Sequence, residues 1–387
     1  MLKIAVIIDT IPSYRKGFYE ALAARKDMKI TVFCQSHLPG FNVNVVLQDV
    51  PVEVRHLHFW GLESRIVWQD LPVRQLWSSF DVVVLYGNPR FVSNVIWGTG
   101  LKWLGKPIVI WGQAHSYRAN PNTERIRHRW WRVFDYFLVY TDMEVDYLRR
   151  CGGFDGKTIF GMNNGLDQQL IDKAHKQWTE VRLRDWQRDV GLVGKKVLLS
   201  VARLVAKNRF DLVIDALPRL VQKRPDLVWA VIGDGDMRES LEAKINSCGL
   251  QNNVRWLDAI YDELQLAPWF LSAQVLVHPA AIGLTLLHAF GYGLPVVTHS
   301  CREHHGPEFA AFIDGKTGLS FPEGNIELFH DAVDKLLSND HLRSDIGNQV
   351  IDIARTQYNV QVMADRFAMV TWAAARGKQA PEAATSR

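Results

Sequence analysis

"KVLLSVARL", Lys196–Leu204, is an apolar run without polar alternation that ends on an arginine and a leucine. "DLVIDALPRLVQ", Asp211–Gln222, follows and reads as a helix, and "LVWAVIGDG", Leu227–Gly235, reads as a second strand closed by a glycine turn. A strand with one solvated face alternates, whereas a strand covered on both faces reads as a continuous branched run. The stretch therefore predicts a strand–helix–strand unit of a parallel sheet buried between helices.

The same alternation has already run once upstream. "KIAVII", "KITVFCQ", "DVVVLYG", "PIVIWGQ", "DYFLVYT" and "TIFGMNNG" are its strand-like runs, and "FYEALAAR" is one of its helices. From Lys196 it restarts, continuing through "NVRWLDA", "AQVLVHPA", "LTLLHAFGYG" and "PVVTHS". Residues 168–190 between the two series are polar and helical, as a linker would be. Two successive series predict an α/β protein with two Rossmann-like, doubly wound domains facing across a cleft. Ligands in such sheets bind beyond the carboxyl ends of the strands.

A chain of 387 residues is long enough for two such cores. Its net charge of +4 is too mild for a nucleic-acid binder. Cys34, Cys151, Cys248 and Cys301 are far apart, which disfavours a zinc cage or disulfide framework and suits a reducing cytosol. "MLKIAVIID" reads as a strand rather than a signal peptide, and no apolar run approaches the roughly 20 residues of a membrane span.

Several strand-end residues carry chemistry, each with a plain structural alternative. Arg203 and Lys207 suit a diphosphate, as a planar fork and a point charge, or form a solvated basic loop. Gly233, in "VIGDGD", allows close approach of a ligand or simply makes the turn. Gly283 and Leu284 open a helix whose first N–H groups suit phosphate. His288 is a ligand contact or a core histidine, and His115 a sugar contact or a partner of a loop carbonyl. Tyr14, Arg15 and Gly17 occupy the first strand–helix loop. "RIRHRWWRVFDYF" interleaves Arg125, Arg127, Arg129 and Arg132 with Trp130 and Trp131, as a membrane-surface helix or a cover of the sheet would.

Taken in order, "ARLVAKNRFDLVIDAL", "VIGDG", "NVRWLDAIYDELQLAPWFLSAQVLVHP", "GLTLLHAFGYGLPVVTH" and "PEFAAFIDGKTGLSF" resemble glycosyltransferase family 4. These are retaining enzymes of GT-B fold, and the likeness keeps its order over nearly the whole chain. It implies a first domain over 1–167, completed by a returning helix at 358–375, and a nucleotide-sugar domain over 191–357, with a flexible tail at 376–387. It implies that Arg203 and Lys207 hold the donor diphosphate together with the N–H groups of Gly283 and Leu284, beside Thr285 and Gly233. Lys207 stands one residue before the family's usual lysine position, which here is Asn208. His115 matches the family's histidine near the transferred sugar, Ile260 lies in the loop that meets the base, and Tyr14, Arg15 and Gly17 lie on the acceptor side.

One departure is plain. The family's Glu-x7-Glu pair is replaced by Ala280 and His288. An imidazole can still bind a ribose hydroxyl. Glu308, in a neighbouring loop, is the candidate to supply the missing first carboxylate.

The resemblance implies transfer of a sugar from a UDP- or GDP-sugar donor to a saccharide or lipid-linked acceptor, in surface polysaccharide or glycolipid assembly. No cofactor or metal is expected, because the two cations take the diphosphate's charge. The expected site of action is the cytoplasm, including the inner face of a membrane. A nucleotide-sugar isomerase and a catalytically silent partner subunit are the rival readings.

Overall fold

The computed structural model describes residues 1–35, 50–62, 66–115 and 121–377. Of the tail expected over 376–387, residues 378–387 lie outside the described residues. The chain forms two compact units, one of Met1–Asn164 completed from Val360 onward, the other Gly165–Asn359.

Among the described residues the first unit contains nine strands: β1 (Leu2–Ile7), β2 (Met28–Cys34), β3 (Glu53–His56), β4 (Phe59–Leu62), β5 (Ile66–Gln69), β6 (Val82–Tyr86), β7 (Ile108–Gly112), β8 (Tyr136–Val139) and β9 (Thr158–Gly161). Seven of them make a sheet in the order β3-β2-β1-β6-β7-β8-β9, parallel throughout, while β4 and β5 pair as an antiparallel hairpin. The unalternating runs are the inner strands: every residue of β7, and all of β6 but Tyr86, is buried. Each fully buried Val, Leu or Ile contributes about 1.5–3 kcal/mol, so the sheet interior dominates stability. The C-terminal helix Val360–Arg376 covers one face, setting Phe367 against Phe18 at 5.8 Å between ring centroids.

The second unit contains β10 (Lys196–Val201), β11 (Leu227–Ile232), β12 (Val254–Leu257), β13 (Val275–Val277), β14 (Val296–His299) and β15 (Gly318–Phe321). They form one parallel sheet in the order β12-β11-β10-β13-β14-β15. This is the doubly wound Rossmann order, in which the chain reverses its direction of growth between β10 and β13. In the first sheet the reversal falls between β1 and β6.

The stretch expected as a linker folds as two helices, Gln168–Gln177 and Glu180–Asp189, docked on the second unit. Trp178 Nε1 donates to Leu264 O at 2.8 Å, and Trp186 meets Trp269 edge-on at 4.9 Å. Ile171 and Ala174, both buried, anchor the first helix beside the two tryptophans. The chain changes unit at Asn164–Gly165 and again at Asn359–Val360.

Candidate functional site

In the second unit, the loops after β10 and β13 meet at the switch point. Arg203 and Lys207 are both exposed in the loop after β10, Lys207 within the short turn Ala206–Asn208. Asn208, at the family's lysine position, is buried and its Nδ2 donates to Arg203 O at 2.7 Å. It shapes the loop from inside and leaves the solvent-facing charge to Lys207. That charge reaches His278, whose imidazole burial pushes down to about 4, with Lys207 adding to the effect.

The loop after β13 leads through Ala281, held at φ 46°, to Gly283 and the helix Leu284–Gly291. No side chain caps this helix, so its first N–H groups are left to the loop or a ligand. The Thr285 hydroxyl is already engaged, donating to Val201 O at 3.0 Å and tying the helix start to the end of β10. Ala280 is buried and offers only a methyl group. Glu308 is buried too, and its Oε2 lies 3.5 Å from the point a Gly283 side chain would occupy. A carboxylate thus sits beside the helix start although position 280 lacks one.

His288 lies one turn further along. Its Nε2 is 2.9 Å from Glu263 Oε1, and the Tyr292 hydroxyl donates to the same oxygen at 2.5 Å. Phe270 stacks on both rings, at 4.7 Å from His288 and 4.9 Å from Tyr292. Burial raises the Glu263 carboxyl, but His288 and Tyr292 more than offset it and hold its pKa below the ordinary value. In the tautomer that donates from Nε2, Nδ1 is an acceptor.

Gly233 and Gly235 have a structural explanation. Gly233 has φ 145°, and a side chain there would lie 2.0 Å from Ala202 O; one on Gly235 would lie 2.3 Å from Leu204 O. Both glycines let the loop after β11 pack onto the backbone that carries Arg203. Ile260 packs at the edge of the core after β12, and its neighbour Tyr261 is 81% exposed.

In the first unit, a cavity of about 200 Å³ opens at the carboxyl ends of β1, β6, β7 and β8, lined by Asp9, Tyr14, Arg15, Tyr86, Trp111 and Tyr140 among others. Tyr14 and Arg15 face it from the turn Ser13–Arg15. Gly17, in the helix Lys16–Ala23, does not line it. Burial raises the Asp9 carboxyl above its ordinary range against the opposing charges of Arg90 and Arg15.

His115 follows β7 in the same unit and pairs with a carboxylate. Its Nδ1 is 2.7 Å from Glu124 Oε2, and the Tyr147 hydroxyl bonds the other Glu124 oxygen. The carbonyl of Ala114 is taken by His128 Nε2 at 2.9 Å. Glu144 fixes the loop itself, accepting from the N–H groups of Ala114, His115 and Tyr140 at 3.1, 3.4 and 2.7 Å.

The arginine-rich helix, Pro121–Trp131, is a cover of the sheet on its aromatic side. Trp130 and Trp131 are buried, and Trp131 Nε1 donates to Gly87 O at 2.9 Å. Arg127 is buried as well and donates to Gln113 O, so it is not a surface cation. Arg125, Arg129 and Arg132 remain exposed. Among the described residues no helix is long and apolar enough to cross a membrane.

His299, His304 and Glu323 bring possible metal ligands within 4.8 Å of one another. Cys301 N–H donates to His299 Nδ1 at 3.1 Å, and burial favours the neutral ring. The proton then sits on Nε2, the nitrogen facing Glu323, which has no lone pair to give a metal.

Sequence reasoning missed Glu263, which lies 25 residues from His288 and meets it only through packing of two helices, and Tyr292, which stands at the end of the His288 helix and donates to the same carboxylate. It also missed Asp9, Tyr86, Trp111 and Tyr140. Their signal was available: each stands at the end of a parallel strand, and those strands are consecutive in the sheet.

Residues 184–352, all within the second unit, match the family described as Glycosyl transferases group 1. The chain is similar to the alpha-D-kanosaminyltransferase of Streptomyces kanamyceticus, 23% identical over 266 residues, which span 68% of this chain and 63% of that protein. It is also similar to the GDP-mannose-dependent alpha-(1-6)-phosphatidylinositol monomannoside mannosyltransferase of Mycolicibacterium smegmatis, 29% identical over 159 residues, 38% of this chain and 40% of that one. The alignments thus cover less than two thirds of either relative. Among solved structures, Anabaena HepE in complex with UDP matches with a TM-score of 0.71 at 15% identity, over 95% of this chain and 98% of that one. At that identity the likeness defines the fold, which is α/β GT-B with two Rossmann-like units.

Proposed function

We propose that the protein is a hexosyltransferase that moves a sugar, with retention, from a UDP- or GDP-sugar to a saccharide or lipid-linked saccharide in surface polysaccharide or glycolipid assembly. The observation that carries this reading is the meeting of Arg203, Lys207 and the uncapped start of helix Leu284–Gly291 at the switch point of the second sheet. The named activities of the relatives support it, as does the nucleotide in the HepE complex.

In this reading Arg203 and Lys207 stabilise the charge that grows on the leaving diphosphate, with the N–H groups of Gly283 and Leu284. A leaving phosphate oxygen takes the acceptor's proton on the same face of the sugar, so the side chains need only position and neutralise. His288 accepts from a ribose hydroxyl through Nδ1 while Glu263 holds its other nitrogen. Glu308 contacts the transferred sugar in place of the absent carboxylate at 280, Ile260 borders the base, and the cavity of the first unit receives the acceptor. Arg125, Arg129 and Arg132 are the groups an anionic membrane surface would meet.

A panel of UDP-, GDP- and dTDP-sugars screened by thermal shift tests the donor, since a ligand stabilises the fold by RT ln(1 + [L]/Kd). Turnover should require an acceptor and survive EDTA; the Asp234-Gly235-Asp236 spacing after β11 is the reason for the chelator arm. Conversion of a sugar nucleotide without acceptor would mark an isomerase instead. Failure to bind any donor, with no turnover, would mark a silent subunit.

A further inference from the structure

The cavity of the first unit has an unbalanced set of polar groups. Arg15 is 7% exposed; its Nη2 donates to Asn164 Oδ1 at 2.9 Å, while its Nη1 is buried without a partner. The guanidinium lies over the Trp111 and Tyr14 rings, 5.5 and 5.6 Å from their centroids, which fixes its plane. The Tyr19 hydroxyl and Trp111 Nε1 are likewise buried and unpartnered, and both residues line the same cavity. Three unsatisfied hydrogen-bond donors, one of them cationic, therefore belong to residues that line one space. A buried guanidinium nitrogen without an acceptor is costly and marks a place where an acceptor belongs.

The shape of the deficit says which acceptor. A neutral hydroxyl brings two lone pairs and a proton of its own, which needs a further acceptor. A carboxylate or phosphate brings at least four acceptor positions and no donor. It also matches a guanidinium fork in charge and geometry. Asp9 does not fill this role from within. Its Oδ1 accepts from Thr10 N–H at 2.8 Å, and it makes no ion pair with Arg15. Burial also raises its carboxyl above the ordinary range. The remaining walls, Tyr86, Tyr140 and Trp111, are aromatic and suit the C–H face of a sugar ring.

We infer that this cavity seats an oxyanion-bearing sugar, whose carboxylate or phosphate is bonded by Arg15, Tyr19 and Trp111. That this sugar is the acceptor rests on the transferase reading above; that the cavity binds an oxyanion does not.

Calorimetry on the full chain with glucuronate, glucose 6-phosphate and glucose, at one ionic strength, tests the assignment. At least one charged sugar should bind tenfold or more tightly than glucose, and which one does so tells carboxylate from phosphate. Arg15→Gln should bring that sugar down to the level of glucose. Tyr19→Phe, which removes one oxygen and keeps the ring, should weaken it severalfold. UDP and GDP titrated into the same variants should bind as they do to the unaltered protein. Equal binding of all three sugars, binding of none, or a charged-sugar preference that survives Arg15→Gln overturns the inference. Loss of the preference with nucleotide binding intact leaves the donor reading standing. Absence of nucleotide binding beside an intact preference removes the donor reading and leaves the cavity's.

Discussion

His288 Nε2 lies 2.9 Å from Glu263 Oε1, so the position that carries a carboxylate in the resembled family is here an imidazole with a carboxylate behind it. In the proposed reading the pair divides one role between two helices: Glu263 orients the ring and supplies the negative charge, and His288 presents the acceptor.

This arrangement sets the outcome of exchanging the residues. His288→Ala should weaken donor and free nucleotide together, by about 1–3 kcal/mol, because the ribose belongs to both and its hydroxyl loses a buried partner. His288→Glu should not rescue. It would set a second carboxylate against Glu263, and like charges at hydrogen-bond range destabilise both. The double variant His288→Glu with Glu263→Gln should recover nucleotide affinity above that of His288→Ala. Calorimetry on the four proteins reads this directly. Full affinity in His288→Glu alone would mean that Glu263 does not govern the site.

Arg203→Ala and Lys207→Ala should each lower turnover by a factor of about 10²–10³, the usual cost of one lost contact to developing charge. Both side chains are exposed, so their removal should shift stability by no more than about 0.5 kcal/mol. Initial rates beside a thermal melt separate the two effects. Unaltered rates in both variants would take the diphosphate away from this loop.

The sheets were legible in the sequence because their strands are buried on both faces, and β7 and β11 show it at every residue. The switch-point loops were legible for the same reason: a charge or glycine directly after such a run, as at Arg203 or Gly283, has nowhere else to be. In 168–190 the buried apolar residues are few, Ile171 and Ala174 on the first helix with half-buried Trp178 and Trp186 beyond it, and the charged residues around them made the stretch read as a linker. The Glu263–His288 pair left no sequence pattern, since it arises from the side-by-side packing of helices that are separate in the chain. Tyr86, Trp111 and Tyr140 were read as strand interior. All three stand at strand ends and line the cavity.

Stability should depend on pH through Glu144. Burial raises its carboxyl from the ordinary 4.5 to about 7, and the backbone N–H groups of His115, Tyr140 and Ala114 offset only part of that. Between those values the folded protein holds a proton that the unfolded chain has lost. The stabilisation from this group is therefore complete below pH 4.5 and falls away as pH rises through 7, by about 3 kcal/mol in all. Glu144→Gln keeps an acceptor for the loop that carries His115 and removes the titration. Urea midpoints followed from pH 4.5 to 8 should decline less steeply in that variant than in the unaltered protein. Parallel declines would assign the pH dependence to other groups.

The arginine-rich helix separates a structural cation from surface ones. Arg127 is buried and bonds Gln113 O, so Arg127→Gln should cost about 1–3 kcal/mol of stability by leaving that carbonyl and its surroundings poorly paired. It should leave any attachment to vesicles unchanged. Arg125 and Arg129 are exposed on the opposite side, with Ile126 between them 61% exposed. If an anionic membrane holds the enzyme near a lipid-linked acceptor, replacing both by glutamine should lower partitioning onto phosphatidylserine-containing vesicles by about 1 kcal/mol per charge, roughly thirtyfold together. The thermal midpoint should not move. Sedimentation with vesicles at two salt concentrations measures the effect, and the loss should shrink at high salt because exposed charges are screened. Unchanged partitioning in the double variant would leave this helix as a cover of the sheet and no more.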